Sequence, residues 1–296
     1  MNTPALIHSN PLHPQGAARS MGDILISNGR LSPEDATRIV NQQRLSKLPF
    51  GEAAIALRIL TKEDIDFALS KQFNYSYLSD EDETLSPQLV AAYQPFSRVG
   101  ENLRAVRSQL RLRWFNSDPL HKVLAVVSPG AGEGRSFIAA NLAIVFAQQG
   151  ERTLLIDGDL RAPGNKGQAA LFKLGSGIGL SSILAGRAGL EVAKTVPSLP
   201  GLTVLPAGAV PPNPQELLGR VTFGQLLFSA SMEFDVILID TPSAGEFADA
   251  NIIASRAGAA LMVARKDQSS MPDAALLAQR LQECDVNLVG SVLNDG

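Results

Sequence analysis

The sequence has little of what redox, soft-metal or membrane-spanning chemistry needs. Its single cysteine, Cys284, excludes an internal disulfide and a multi-thiolate metal site, and fits a reducing compartment. Of three histidines, His8 and His13 fall in a proline-rich start, which leaves no histidine-based metal cluster. No uninterrupted apolar run approaches the ~20 residues needed to cross a bilayer. No basic region followed by an apolar stretch opens the chain, so no secretion signal is read and a cytoplasmic location is expected. A net charge of −3 argues against a general nucleic-acid or membrane-surface binder. What is present is 296 residues with 45% apolar content, enough for about two domains with a buried α/β core.

Residues 1–19 are rich in small, polar and proline residues and read as a disordered tail. A weak internal repeat follows, with Met21–Gln43 aligning on Phe50–Gln72. Gly22 matches Gly51, Leu31 matches Leu60, and Gln43 matches Gln72. Ser32 and Thr61 each precede a helical pattern with acidic residues in its first turn, which is N-cap chemistry. Residues 20–79 are therefore expected to form a small all-α domain of two helical hairpins. The acidic run Asp80–Glu83 marks a solvated linker over 80–97. Arg98–Phe115 is helical by spacing and arginine-rich. From Lys122 strand-like and helix-like segments alternate, with strands expected at 122–127, 153–156, 202–205, 236–239, 260–264 and 287–293. Their apolar runs do not alternate with polar residues, so the strands are buried on both faces of a mostly parallel sheet.

The run Ala125–Phe137, AVVSPGAGEGRSF, links the first of these strands to an apolar helix. Gly130, Gly132 and Gly134, with Ala131 and Glu133 between them, let the backbone curl with its N–H groups inward. Those donors and the positive helix end hold an anion. Two positions depart from the P-loop pattern: Arg135 stands for lysine and Pro129 for the first glycine. Ser136 supplies the hydroxyl expected on Mg²⁺. Asp157, Asp159 and Arg161 follow one strand and Asp240 ends another, where open parallel sheets bind ligands. Mg²⁺ favours few protein ligands plus waters and phosphate oxygens. Ser136 with Asp157 or Asp240 acting through water is such a set. Phosphoryl transfer then needs amides and a cation on the phosphates, the metal, and a carboxylate that positions the attacking hydroxyl or water. Asp157 is the candidate for that carboxylate, and Asp240 for a more remote metal anchor.

These residues resemble the cytoplasmic domain of the bacterial tyrosine kinases, relatives of the MinD/ParA ATPases, and most of all the chain-length determinant kinases of exopolysaccharide clusters. The likeness covers about Arg98–Asp295. Pro129–Ser136, Leu154–Arg161 and Val236–Pro242 correspond to the family's Walker A, A′ and B motifs. PPNPQELL within Leu205–Leu218 is the most specific string, and Gly179–Gly186 looks like a connecting segment. The resemblance implies a P-loop α/β domain over 98–296 that uses ATP and Mg²⁺, with Asp157, Asp159, Arg161 and Arg135 catalytic. It places Phe137 beside the loop and Asn294 where related ATPases contact the base. It also implies self-association through an ExxRxxR helix, here Glu101, Arg104 and Arg107. The implied partner is a membrane-embedded polysaccharide chain-length protein that would hold the kinase at the inner membrane. The N-terminal repeat resembles the N-terminal domain of type II secretion assembly ATPases, some of which bind cyclic di-GMP through an RLG-type motif. The corresponding triplets, Ser20–Gly22 and Pro49–Gly51, lack the arginine, so docking of a protein is the expected role.

Two departures bear on catalysis. Arg135 keeps the charge of the usual lysine but is bulkier, planar and forked. Nucleotide binding is expected to survive and turnover to be slow. The tyrosine-rich tail usual in such kinases is not seen before Gly296, and the tyrosines Tyr75, Tyr77 and Tyr93 precede the P-loop. A MinD/ParA-type ATPase and a nucleotide-sensing scaffold therefore stand beside the kinase as readings.

Overall fold

The computed structural model describes residues 20–72, 77–79, 82–116, 118, 120–162 and 166–295. The expected tail, Tyr75, and Asp80 and Glu81 of the acidic run lie outside them. The chain divides into two compact units, Met1–Tyr75 and Ser76–Gly296.

The smaller unit holds α1 (Met21–Ser27), α2 (Pro33–Ser46), α3 (Phe50–Ala56) and α4 (Lys62–Gln72). Helix starts follow from side-chain caps. Ser20 and Asp23 form a capping box, Ser32 Oγ accepts from Asp35 N at 3.0 Å, and Thr61 and Asp64 exchange bonds at 3.0 and 3.2 Å. The repeat is visible in the core, where residues 29 positions apart are buried together. Ile24 pairs with Ala53, Leu25 with Ala54, Leu31 with Leu60, and Ile39 with Ala68. Each half supplies one helical hairpin's apolar face, too small a surface to be buried alone.

In the larger unit α5 (Val90–Tyr93) and α6 (Arg98–Arg113) precede β1 (Val123–Val127), α7 (Arg135–Ala147) and β2 (Thr153–Asp157). Then come α8 (Gly167–Leu171), α9 (Leu180–Leu184), β3 (Lys194–Thr195), β4 (Leu202–Leu205), α10 (Pro214–Gly219) and α11 (Val221–Glu233). The chain continues with β5 (Val236–Asp240), α12 (Asp249–Ala257), β6 (Ala259–Arg265), α13 (Met271–Glu283) and β7 (Asn287–Asn294). Seven strands form one sheet in the order β3-β4-β2-β5-β1-β6-β7, parallel throughout except for β3 on β4. This is the expected α/β architecture of a helix-flanked parallel sheet.

Every residue of β1, β2 and β5 is buried. Alternate residues enter opposite cores: Leu124, Val126, Leu155 and Leu238 pack with α7, while Ala125, Val127, Leu154 and Ile237 pack on the other face. Burial on both faces explains the continuous apolar runs.

The segment read as a solvated linker is corrected in part. Leu85, Leu89, Ala91 and Ala92 are buried in the core beside α7. Asn141 of α7 accepts from Ala91 N at 2.9 Å and donates to Gln88 O at 3.1 Å, and Gln148 Nε2 donates to Ala91 O at 2.9 Å. These bonds satisfy backbone groups that burial would otherwise leave unpaired. The stretch is an integral edge of the larger unit.

Candidate active site

The turn from β1 into α7 passes through Gly132 and Gly134 at φ +74° and +95°, the left-handed region that glycine enters without cost. The approach is also close, since a Cβ on Gly134 would lie 2.3 Å from Asn294 Nδ2. The N–H groups of Gly132, Gly134, Arg135 and Ser136 find no acceptor among the described residues. They open α7, where donors lack intrahelical partners and the helix end is positive. The turn thus presents unpaired donors at a positive helix end, in the place where the glycine spacing puts it.

The loop is held in shape from outside. Glu133 is buried (2% exposed); its carboxylate accepts from Gly130 N at 2.7 Å and from the Ser269 hydroxyl. Arg265 donates to Gly132 O at 3.1 Å, Gln268 to Ala131 O at 3.0 Å and Asn294 to Glu133 O at 3.1 Å. Asn294, expected at the base, thus supports the loop backbone. The β6–α13 turn that carries the other three donors gave no sequence signal, because its partners are mostly backbone carbonyls.

Arg135 turns inward. Nε donates to Thr241 O at 2.9 Å, and Nη1 donates to Gly130 O at 2.8 Å and to the Ser128 hydroxyl. The fork that distinguishes arginine from lysine is what allows this grip on two strand ends at once.

Asp157 and Asp240 end neighbouring strands and are direct register partners. Both are buried (2% and 1% exposed). Burial, then the charge of Asp240, pushes the Asp157 carboxyl up to about 8, against bonds from the Gln168 and Asp159 N–H groups. Burial pushes Asp240 up as well, opposed by the Ser136 and Gln168 side chains. Two carboxylates so placed cannot both ionise near neutrality without a cation. Asp240 Oδ1 and Gln168 Oε1 are both buried without a hydrogen-bond partner. Orphaned oxygens next to a serine hydroxyl and two carboxylates match the hard, oxygen-only environment of Mg²⁺. The residues fit the metal, and the glycine loop beside them fits the phosphates it would bridge.

Asp159 is turned toward its own backbone, accepting from Arg161 N at 3.1 Å and Ala162 N at 3.2 Å. Arg161 makes a two-pronged ion pair with buried Asp249 (2.7 and 3.0 Å) and stacks 3.8 Å over the Phe247 ring. The structure thus brings Ser136, Asp157 and Asp240 together and holds Arg161 on the start of α12. A cleft of about 350 Å³ opens beside Asp157 and Asp159, lined also by Lys166, Ser176, Pro206 and Gly208. On α6, Arg104 pairs with Glu101 and donates to Pro95 O at 2.6 Å, while Arg107 donates to Val145 O at 2.8 Å. Within one chain both arginines are engaged, and the Glu101 side chain is 67% exposed.

No protein-family model matches the chain. It is 34% identical over 206 residues to the tyrosine-protein kinase YwqD of Bacillus subtilis, covering 70% of this chain and 85% of that one. Longer tyrosine-protein kinases also match, such as wzc of Salmonella typhimurium at 35% identity over 208 residues. That match covers 70% of this chain and 28% of wzc. Among solved structures, the kinase domain of Escherichia coli tyrosine kinase ETK superposes with TM-score 0.67 at 30% identity, over 76% of this chain and 91% of that one.

Proposed function

Because the chain belongs to the bacterial tyrosine kinase family, we propose that it is an ATP-dependent protein-tyrosine kinase controlling exopolysaccharide chain length and export. The observation that carries the reading is the Asp157–Asp240 pair, with Asp240 Oδ1 and the neighbouring Gln168 Oε1 buried and orphaned, set against unpaired amides at the start of α7. Those amides take the phosphates of ATP. Ser136, Asp157 and Asp240 would hold Mg²⁺, which when bound neutralises the charge that develops on the transferred group. Asp157, facing the open cleft, orients the acceptor hydroxyl and takes its proton. Arg135 supplies positive charge from beneath the loop, and Arg161 braces the Asp157–Arg161 turn through Asp249.

The kinase is proposed to work at the inner membrane through a membrane-embedded chain-length protein. No helix among the described residues is long and apolar enough to cross a membrane. Self-association is proposed through the exposed side of α6 that carries Glu101.

Phosphotyrosine mass spectrometry after incubation with Mg²⁺ and ATP tests the reading. Labelled tyrosine is expected on this chain or a co-expressed chain-length protein. Tyr93 is expected to stay unlabelled, because its hydroxyl donates to Asp82 O at 2.7 Å and accepts from Leu85 N at 3.3 Å. Phosphate release with no labelled tyrosine anywhere would overturn the kinase reading in favour of an ATPase. The carbonyl grip on Arg135 favours a second reading, a nucleotide-sensing scaffold of low turnover, for which neither product appears although Mg²⁺–nucleotide binds.

A further inference from the structure

Gln168 belongs to no motif, yet it bonds both carboxylates of the metal site and the Ser136 backbone. It is fully buried at the start of α8. Its Nε2 donates to Asp240 Oδ2 at 2.8 Å and to Ser136 O at 3.2 Å. Its backbone N donates to Asp157 Oδ2 at 2.9 Å. The preceding Gly167 has φ +63°, and a Cβ there would lie 2.5 Å from Asp157 Oδ2. The backbone is thus brought against Asp157 as closely as a residue without a side chain permits. Two acceptors fix the orientation of the amide, which leaves Oε1 buried with no donor, as is Asp240 Oδ1.

A buried acceptor without a donor is costly, because its desolvation goes uncompensated. In an otherwise satisfied site this is tolerated where a donor arrives with the ligand. Mg²⁺ keeps several of its waters, and each water has two hydrogens to place. Resting on the kinase reading of the site, we propose that Gln168 is a positioning residue of the metal centre. Its amide N–H group orients Asp240, its backbone N–H orients Asp157, and its Oε1, with Asp240 Oδ1, accepts hydrogen bonds from metal-bound waters. Outer-shell partners of this kind are worth 10–100-fold in metal affinity.

The test is titration of the ADP-loaded full-length chain with Mg²⁺ by calorimetry. Gln168→Met, which keeps the length and removes both amide functions, is expected to weaken Mg²⁺ binding about tenfold or more. ADP affinity in EDTA should stay within about twofold, a split that a merely structural role would not give. Unchanged Mg²⁺ affinity, or an equal loss in EDTA, would overturn the proposal. Ser136→Ala separates this from failure of the site itself. If the serine variant loses Mg²⁺ affinity and the Met variant does not, the role of Gln168 alone falls; if neither responds, the site assignment falls with it. Should the Met variant not fold, Gln168→Glu retains the shape and adds charge beside Asp240. Its melting temperature should drop without metal and recover with Mg²⁺–ADP by more than that of the parent. A recovery no larger than the parent's would contradict the assignment.

Discussion

At the scale of single residues, the site is governed by charge held where water is not. Asp157 sits near 8 in the folded chain against an ordinary 3.8, so the folded state holds a proton that the unfolded state releases. The resulting stabilisation is complete below about pH 4 and is lost as pH rises through 8. Asp157→Asn removes this dependence. In metal-free buffer the variant should therefore gain melting temperature relative to the parent steadily from pH 4 to pH 8, by about 2–4 °C per kcal/mol relieved. Melting curves across that range check it, and a difference that does not change with pH would contradict the burial argument. The same linkage makes Mg²⁺ affinity rise with pH over the window, because the metal must displace that proton.

Arg135 is the second residue whose placement decides chemistry. Its guanidinium is bonded to Thr241 O, Gly130 O and Ser128. Bonds to a charged donor contribute about 1.5–3 kcal/mol each, so moving it to the phosphates is opposed. A missing transition-state contact costs 10²–10³ in rate, and a restrained cation costs part of that. Arg135→Lys is expected to raise phosphoryl transfer about tenfold or more, with ADP affinity changed far less. Equal rates for the two proteins would show that the inward grip does not limit turnover.

At the scale of elements, what could be read in the sequence follows how local the cause is. Strands buried on both faces announce themselves as continuous apolar runs, and β1, β2, β4, β5, β6 and β7 lie where those runs fall. β3 has two residues, Lys194 and Thr195, and pairs antiparallel at the sheet edge, too short to form a pattern. The caps of α2 and α4 are legible because Ser or Thr and an acidic residue three positions on suffice to make them. The packing of 82–97 was hidden, since it depends on Asn141 some 50 residues away. Asn141→Leu, which removes both bonds to that segment, should destabilise the larger unit by about 2–5 kcal/mol by stranding Ala91 N–H and Gln88 C=O. Denaturant unfolding checks this; a loss under about 0.5 kcal/mol would mean the segment is held by its apolar contacts alone.

The candidate site divides the same way. Ser136, Asp157 and Asp240 were visible because short motifs at strand ends put them there, and the sheet register brings the two carboxylates side by side. Gln168, Asp249 and the β6–α13 turn were not visible. Each acts through bonds to residues far off in sequence, and no spacing rule encodes them.

For the whole molecule, two units with separate cores divide the tasks. The helical unit is built from a duplicated hairpin, and the α/β unit carries the carboxylates, the unpaired loop amides and the cleft. Catalysis by the second unit requires that its glycine loop and paired aspartates together bind a metal–nucleotide complex. Calorimetry of ADP binding to the full chain with and without Mg²⁺ measures it most directly. Mg²⁺ is expected to tighten ADP binding about tenfold or more, and Ser136→Ala to remove most of that gain. Equal ADP affinity with and without Mg²⁺, or a gain untouched by Ser136→Ala, would contradict that joint binding.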